Sequence, residues 1–207
     1  MNYELAIDNS QFTIVLGAIL FLIGVMHMSP ALALLDARTF RFLHTFLRRG
    51  NAFFKNIWHL GRTPFTLLCI IIFMLYDLQS GIIAAIVFSA AAALEWGIKR
   101  TFQRPRPFTL IPDAIMAQPR EPKDGSFPSG DAMRIWFLAL TIPLIFGLSW
   151  PFLAGTSIIA LLVTLGRIAM GVHYPLDVLA GIGLGILGTG IARQLTIVNY
   201  QLSIINF

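Results

Sequence analysis

The chain is poor in charge, in cysteine and in alternating pattern. Only 12% of its 207 residues are Asp, Glu, Lys or Arg, about half the ~25% usual in a soluble domain. Set beside 57% hydrophobic residues, that deficit excludes an ordinary water-soluble enzyme and argues for a polytopic membrane protein. The one cysteine, Cys69, sits inside an apolar run without polar neighbours. A disulfide framework or a multi-cysteine metal site within the chain is therefore excluded, and Cys69 reads as a small buried or lipid-facing hydrophobe. No period-two alternation, internal repeat or low-complexity tract is present, which removes strands and solenoids from consideration. The opening residues, MNYELAIDNS, hold no Lys or Arg. The positive n-region of a signal peptide is thus missing, and the first apolar run is expected to stay as a span.

What the chain has in excess is apolar runs approaching the ~20 residues that cross a bilayer. They cover about Gln11 to Leu35 (with Pro30 as a kink), Thr63 to Leu78, Gly81 to Ile98, Ala132 to Trp150, Pro151 to Gly171 and Pro175 to Val198. The expected fold is all-α: one membrane-embedded domain over residues 1–207 with about six transmembrane helices plus an interfacial amphipathic helix. That extra helix falls in DARTFRFLHTFLRRGNAFFKNIWHLGR. There Phe40, Leu43, Phe46 and Leu47 share one helical face and Arg41, Thr45 and Arg48 another, which suits a helix lying at the headgroups. In the last run, Gly181 and Gly185 form a G-x-x-x-G spacing that lets helix backbones approach closely.

Charges at span ends are costly and usually functional. The connection from Lys99 to Ser129 is the longest. It carries Lys99, Arg100, Arg104, Arg106, Arg120 and Lys123, and its many prolines stiffen it. Glu95 precedes Lys99 by four residues and can pair with it along a helix face. Arginine adds a planar fork that matches phosphate oxygens. Pro128-Ser129-Gly130 precedes a helix, so Ser129 can cap it, the first N–H groups form an anion site, and Asp131 falls at the positive dipole end. Arg167 lies near the end of the fifth run. In HYPLD, His173 and Asp177 are four apart with Pro175 placed as a first helical residue. A helical turn there lets Asp177 reach one imidazole nitrogen and leaves the other free as a nucleophile. With six spans, the third-to-fourth and fifth-to-sixth connections share a face, so these groups converge into a phosphate site with its nucleophile in place.

On these residues the chain resembles the type-2 phosphatidic acid phosphatase (lipid phosphate phosphatase) family, in its membrane-integral branch. Lys99, Arg106 and Pro107 match the Lys, six residues, Arg-Pro motif. Pro128, Ser129 and Gly130 match Pro-Ser-Gly-His, with Asp131 in place of the histidine. Arg167, His173 and Asp177 match Ser-Arg, five residues, His, three residues, Asp, with Gly166 in place of the serine. The resemblance implies a phosphatase, without cofactor or metal, acting on a lipid phosphate or polyprenyl diphosphate drawn from the bilayer, with no nucleic acid partner. It implies His173 as the nucleophile that forms a phosphohistidine and Asp177 as its orienter. Lys99, Arg106, Ser129, Gly130 and Arg167 would hold the phosphate oxygens, and position 131 would protonate the leaving oxygen.

Asp131 leaves three readings open. It acts as a general acid with a raised pKa; or the leaving group is a phosphate monoester needing little protonation, which favours a diphosphate substrate; or the protein binds lipid phosphate with weak or no hydrolysis. Membrane orientation is open too. The Lys/Arg bias of the loops places the site face in the cytoplasm, whereas the resemblance implies an extracytoplasmic site at the plasma membrane.

Overall fold

The structure, a computed structural model, describes residues 3–205, with side chains over 10–201. Among the described residues every regular element is helical: α1 (Tyr3–Val25), α2 (Pro30–Leu47), α3 (Asn51–Ile57), α4 (Thr63–Tyr76), α5 (Leu78–Phe102), α6 (Pro107–Leu110), α7 (Gly130–Ile145), α8 (Trp150–Ala169) and α9 (Pro175–Ile205), with short 3-10 turns between some of them. Prolines set many of the starts. Pro30, Pro64, Pro107, Pro151 and Pro175 all lie in first turns, where the missing N–H costs nothing and the fixed φ suits the helix. Pro143 is the exception, lying inside α7. The carbonyl it leaves unbonded, that of Ala139, instead accepts from Thr156 Oγ1 on α8 at 2.6 Å.

By length and composition, Ser10–Met28, Leu78–Leu110, Trp150–Ala169 and Pro175–Gln201 are able to cross a bilayer. The pair Pro30–Gly61 and Thr63–Tyr76, bent by 45°, adds a fifth if taken as one span. α7, with 16 residues, reaches about 24 Å and is largely buried by its neighbours. The all-α architecture is as expected, and the layout is roughly compatible with six spans.

Several boundaries differ from the sequence reading, among them the fourth run, which ends at Ile145 and leaves Trp150 to open α8; two more bear on the site. Pro30 does not kink one continuous helix; a turn at Met26–Met28 ends the first span and Pro30 opens α2. α5 also runs on past Ile98, so Lys99 and Arg100 occupy its last turn, and Gln103 closes it in the left-handed region (φ 41°). The amphipathic helix is real but rotated from expectation. Asp36, Phe40 and His44, spaced four apart, form its buried face. Phe40 is fully buried against His44 and Tyr174, while Phe46 remains 70% exposed. The two phenylalanines thus separate, because the protein rather than lipid covers the first.

α9 is the central helix, packed on α1 and α7 through glycines. A side chain at Gly181 would overlap the Ser129 carbonyl, and one at Gly185 would lie 2.5 Å from the Met133 carbonyl. This close approach, the role the G-x-x-x-G spacing suggested, brings the N-terminal ends of α7 and α9 side by side. Ser129 N donates to Asp177 O across that seam at 2.9 Å. Cys69 lies with Phe73, Phe88 and Phe137 in the apolar body away from this end.

Candidate active site

The five-residue interval between Arg167 and His173 has a local explanation. α8 ends in a Schellman turn: Val172 N donates to Arg167 O and Gly171 N to Ile168 O. Gly171 supplies the positive φ of 76°, and a Cβ there would meet the Ile115 carbonyl at 2.6 Å. The turn reverses the chain while Arg167 still faces inward from the last helical turn. Tyr174 then becomes the N-cap of α9, and Asp177, three residues on, reaches back to accept from Tyr174 N at 2.9 Å, the return half of a capping box. That reach places Asp177 Oδ2 3.7 Å from His173 Nδ1. The carboxylate faces the ring but lies beyond hydrogen-bond distance, and Nδ1 has no hydrogen-bond partner.

His173 Nε2 looks the other way, 3.3 Å from Arg106 Nη1. Arg106 is itself held by the carbonyls of Val172, Asp124 and Gly125. Burial, followed by the charge of Arg106, pushes the His173 imidazole down to about 3, so the ring is neutral near pH 7. Lys99 meets Glu95 at 3.0 Å, as the four-residue spacing anticipated, and Asp124 at 2.7 Å. The other Asp124 oxygen lies 2.8 Å from Arg106 Nη2. Burial alone would raise the Asp124 carboxyl, but Lys99 and Arg106 outweigh it and hold it well below the usual carboxylate range.

Arg167 is almost fully buried and donates through Nη2 to Gln118 Oε1. Its Nη1 lies 3.1 Å from Asp131 Oδ2, out of line for a hydrogen bond, and its Nε has no partner. Asp131 also accepts from Trp58 Nε1 at 3.0 Å and sits 3.5 Å from Arg134 Nη1; Arg134 in turn pairs with Glu95 at 3.0 Å. Every one of these Asp131 contacts uses the carboxylate as an acceptor. Ser129 occupies the N-cap position of α7 as expected, yet its hydroxyl makes no capping bond; Oγ is buried and unpartnered. Gly130 opens the helix and has no room for a side chain, since a Cβ would overlap the Glu95 and Arg134 side-chain ends.

Lys99, Arg106, Gly130, Asp131, Arg167 and His173 line one cavity of about 300 Å³. Residues as far as 74 positions apart in sequence, Lys99 and His173, thus face a single space rich in cations and in unused donors. Arg62, stacked on Trp58 at 4.6 Å, and Arg120 add positive charge to its wall. Sequence reasoning did not assign Trp58, Gln118, Asp124, Arg104 or Asp36 to this region. Arg104 had a signal, standing two residues before Arg106 in the same RPRP stretch; the other four had none. Gly166 packs against Phe54 of α3, which a Cβ would approach to 3.1 Å, so the motif serine is replaced where that ring presses on α8.

A cation-walled cavity at one end of an apolar helical bundle defines a polytopic membrane protein with a site whose charge suits an anion. The comparisons place it more closely. The sequence model of the PAP2 superfamily matches residues 80–200, more than half of the chain, and the chain belongs to that superfamily. It is 37% identical over 105 residues to an undecaprenyl-diphosphatase of Sulfolobus acidocaldarius, covering 51% of this chain and 50% of that one. It is 29% identical over 152 residues to phosphatidylglycerophosphatase B of Bacillus subtilis, covering 66% of this chain and 70% of the relative. The chain therefore matches only half the length of the first of these relatives. Among solved structures, the fold is shared with a transmembrane PAP2-type phosphatidylglycerolphosphate phosphatase from Bacillus subtilis: the TM-score is 0.68 at 23% identity, over 93% of this chain and 96% of that one. Aquifex aeolicus LpxE gives a TM-score of 0.66 at 26% identity, over 75% and 92%.

Proposed function

We propose that this protein is a metal-independent membrane phosphatase that hydrolyses a lipid phosphate or polyprenyl diphosphate through a phosphohistidine. The observation that carries the reading is the set of buried donors without partners: Arg167 Nε in the wall of the cavity that His173 faces, and Ser129 Oγ one residue before Gly130 of that wall. Buried polar groups are normally satisfied, and a phosphoryl group would satisfy these. Its three peripheral oxygens would take Lys99, Arg106, Arg167, Ser129 and the Gly130 N–H. Those side chains supply the charge stabilisation that phosphoryl transfer chiefly needs.

The neutral His173 Nε2 offers its lone pair to phosphorus. The N–P bond forms as the P–O bond to the leaving group breaks, and that oxygen takes the electron pair. Asp177 faces the developing positive charge on the ring. Water then attacks the phosphohistidine, the N–P bond electrons return to Nε2, and inorganic phosphate leaves.

Asp131 favours a diphosphate over a monophosphate. Its oxygens are engaged by Trp58, Arg167 and Arg134, which suits an acceptor, whereas an alkoxide leaving group needs a donor. A lipid diphosphate expels a phosphate monoester, which departs without that proton. The name of the Sulfolobus relative agrees with this preference.

The test is phosphate release from a panel of polyprenyl diphosphate, phosphatidic acid and phosphatidylglycerol phosphate, with and without a chelator. Wild type should release phosphate in both conditions, fastest from the diphosphate, and should trap an acid-labile phosphoenzyme absent from His173→Ala. Binding without turnover across the panel would instead identify a lipid-phosphate-binding protein in which Asp131 has removed hydrolysis.

By family resemblance the site faces away from the cytoplasm at the plasma membrane. Membrane-impermeant labelling of Arg49→Cys and Asp113→Cys, both exposed positions, in a Cys69→Ser background tests this; protection of both sites in intact cells reverses the orientation.

A further inference from the structure

Behind the His173–Asp177 pair lies a group of buried charges outside the matched motif positions. Arg104 Nη1 donates to Asp177 Oδ1 at 2.5 Å and its Nη2 to Asp36 Oδ2 at 2.7 Å. Asp36, on α2, accepts at Oδ1 from Leu176 N at 3.0 Å, so it satisfies one of the free N–H groups that begin α9. The Arg104 guanidinium lies over the Tyr174 ring, 4.2 Å from its centroid. Side-chain exposure is 10% for Arg104, 1% for Asp36 and 0% for Asp177. All four carboxylate oxygens have a donor: Arg104 for one oxygen of each acid, Tyr174 N and Leu176 N for the others. Three separate parts of the chain thus meet on the single turn that carries His173.

Charges buried to this depth rarely add net stability, because desolvation offsets their attraction. Their retention here points to geometry. Asp177 makes no hydrogen bond to the imidazole; its place is set by Tyr174 N on one oxygen and Arg104 on the other. Arg104 lines an adjoining cavity of about 800 Å³, which shares Lys99, Arg106 and Asp124 with the one His173 faces, but Arg104 is not in the wall of the latter; its link to His173 runs through Asp177.

We infer that Arg104 and Asp36 are positioning residues: they fix the Asp177 side chain and the first turn of α9, and so fix which nitrogen of His173 is presented to the cavity. The kinetic part of this inference rests on the phosphatase reading above; the geometric part does not.

Two measurements on the full-length protein in lipid nanodiscs separate them. The first is imidazole ¹⁵N spectroscopy, with the four histidines assigned by single substitution. In wild type His173 should report one neutral tautomer, protonated at Nδ1. In Arg104→Lys and Asp36→Asn its pair of resonances should move toward the average of both tautomers, while those of His27, His44 and His59 stay in place. Asp36→Asn keeps an oxygen for Leu176 N and serves if Arg104→Lys does not fold. An unmoved His173 in Asp36→Asn overturns the inference.

The second is phosphate release. Each variant should lower kcat by about tenfold or more, in line with the cost of small misplacements at a reacting group, with KM held within about twofold. In an Asp177→Asn background the same substitutions should change the rate less than about twofold, as expected for residues acting through one partner. Full additive losses in that background, or a rise confined to KM, would show that Arg104 touches substrate or only supports the fold. A wild type that releases no phosphate from any lipid removes the phosphatase reading, while the spectra still decide the positioning.

Discussion

Two arginine–carboxylate clusters flank His173, one with two acids to a single arginine and the other with a single acid to two arginines, and they are opposite in completion. On one side Asp36, Arg104 and Asp177 are closed: every carboxylate oxygen has a donor. On the other, Asp131, Arg134 and Arg167 are open: Arg167 Nε, Arg134 Nε and the nearby Ser129 Oγ have no partner, and Arg167 Nη1 has only a misaligned one. Both clusters are buried, so burial does not distinguish scaffold from binding site. The distinction lies in what is left unbonded, because an unmade hydrogen bond in a low-dielectric setting is costly unless a ligand completes it.

The sharpest way to break this contrast is to remove the group both clusters serve. His173→Ala should lower phosphate release by on the order of 10³-fold or more, measured on the best lipid of the panel. Next comes the open cluster. Arg167→Ala removes the two unpartnered donors that the proposed reading gives to phosphate and leaves Asp131 without its nearest cation; the rate should fall on the order of 10²-fold or more, and inorganic phosphate should inhibit more weakly.

A smaller effect is expected at Asp124, which occupies Lys99 and Arg106. Asp124→Asn should strengthen inhibition by inorganic phosphate several-fold, about 1 kcal/mol for a half-exposed carboxylate competing for the same cations. Weaker inhibition would mean that Asp124 helps to build the anion site. Because Lys99 and Arg106 keep Asp124 ionised well below the usual range, this difference should be unchanged from pH 8 to 5.

His173 sets a different pH dependence. Its folded-state value, near 3, lies below the ordinary 6.5, so the unfolded chain binds the extra proton first. The neutral ring's contribution to stability is fully present above pH 6.5 and is lost as pH falls from there toward about 3. The thermal midpoint in detergent should drop through that window, and the drop should shrink in His173→Gln. The least effect is expected at Gly166. Gly166→Ser presses on Phe54 and should cost about 1 kcal/mol of stability, with activity within about threefold.

The wall of the cavity was far more legible in the sequence than the buried support behind it, of which only Asp177 was read. Lys99, Arg106, Arg167 and His173 sit at spacings that α5, the Schellman turn and the start of α9 explain residue by residue. The Glu95–Lys99 pair and the glycine seam of α9 were readable for the same reason, since helical periodicity is local. Asp36 was not readable: it is a single acid in a stretch dominated by arginine and phenylalanine, and its value comes from packing α2 against α9, 140 positions away. The rotation of α2 was hidden for a related cause, because amphipathicity shows which residues avoid water but not whether lipid or protein covers them. Ser129 shows the limit of local rules, holding the cap position without making the cap bond.

The acid that bridges Lys99 and Arg106 also bears on how the cycle ends. It lies in the loop between α6 and α7, about half exposed, and touches both cations at once. In the proposed cycle an incoming anion would evict this resident, and the resident would reclaim its seat when the anion departs. Such an exchange would lower the affinity for newcomer and product alike, and would hasten the clearance of inorganic phosphate before the next turnover.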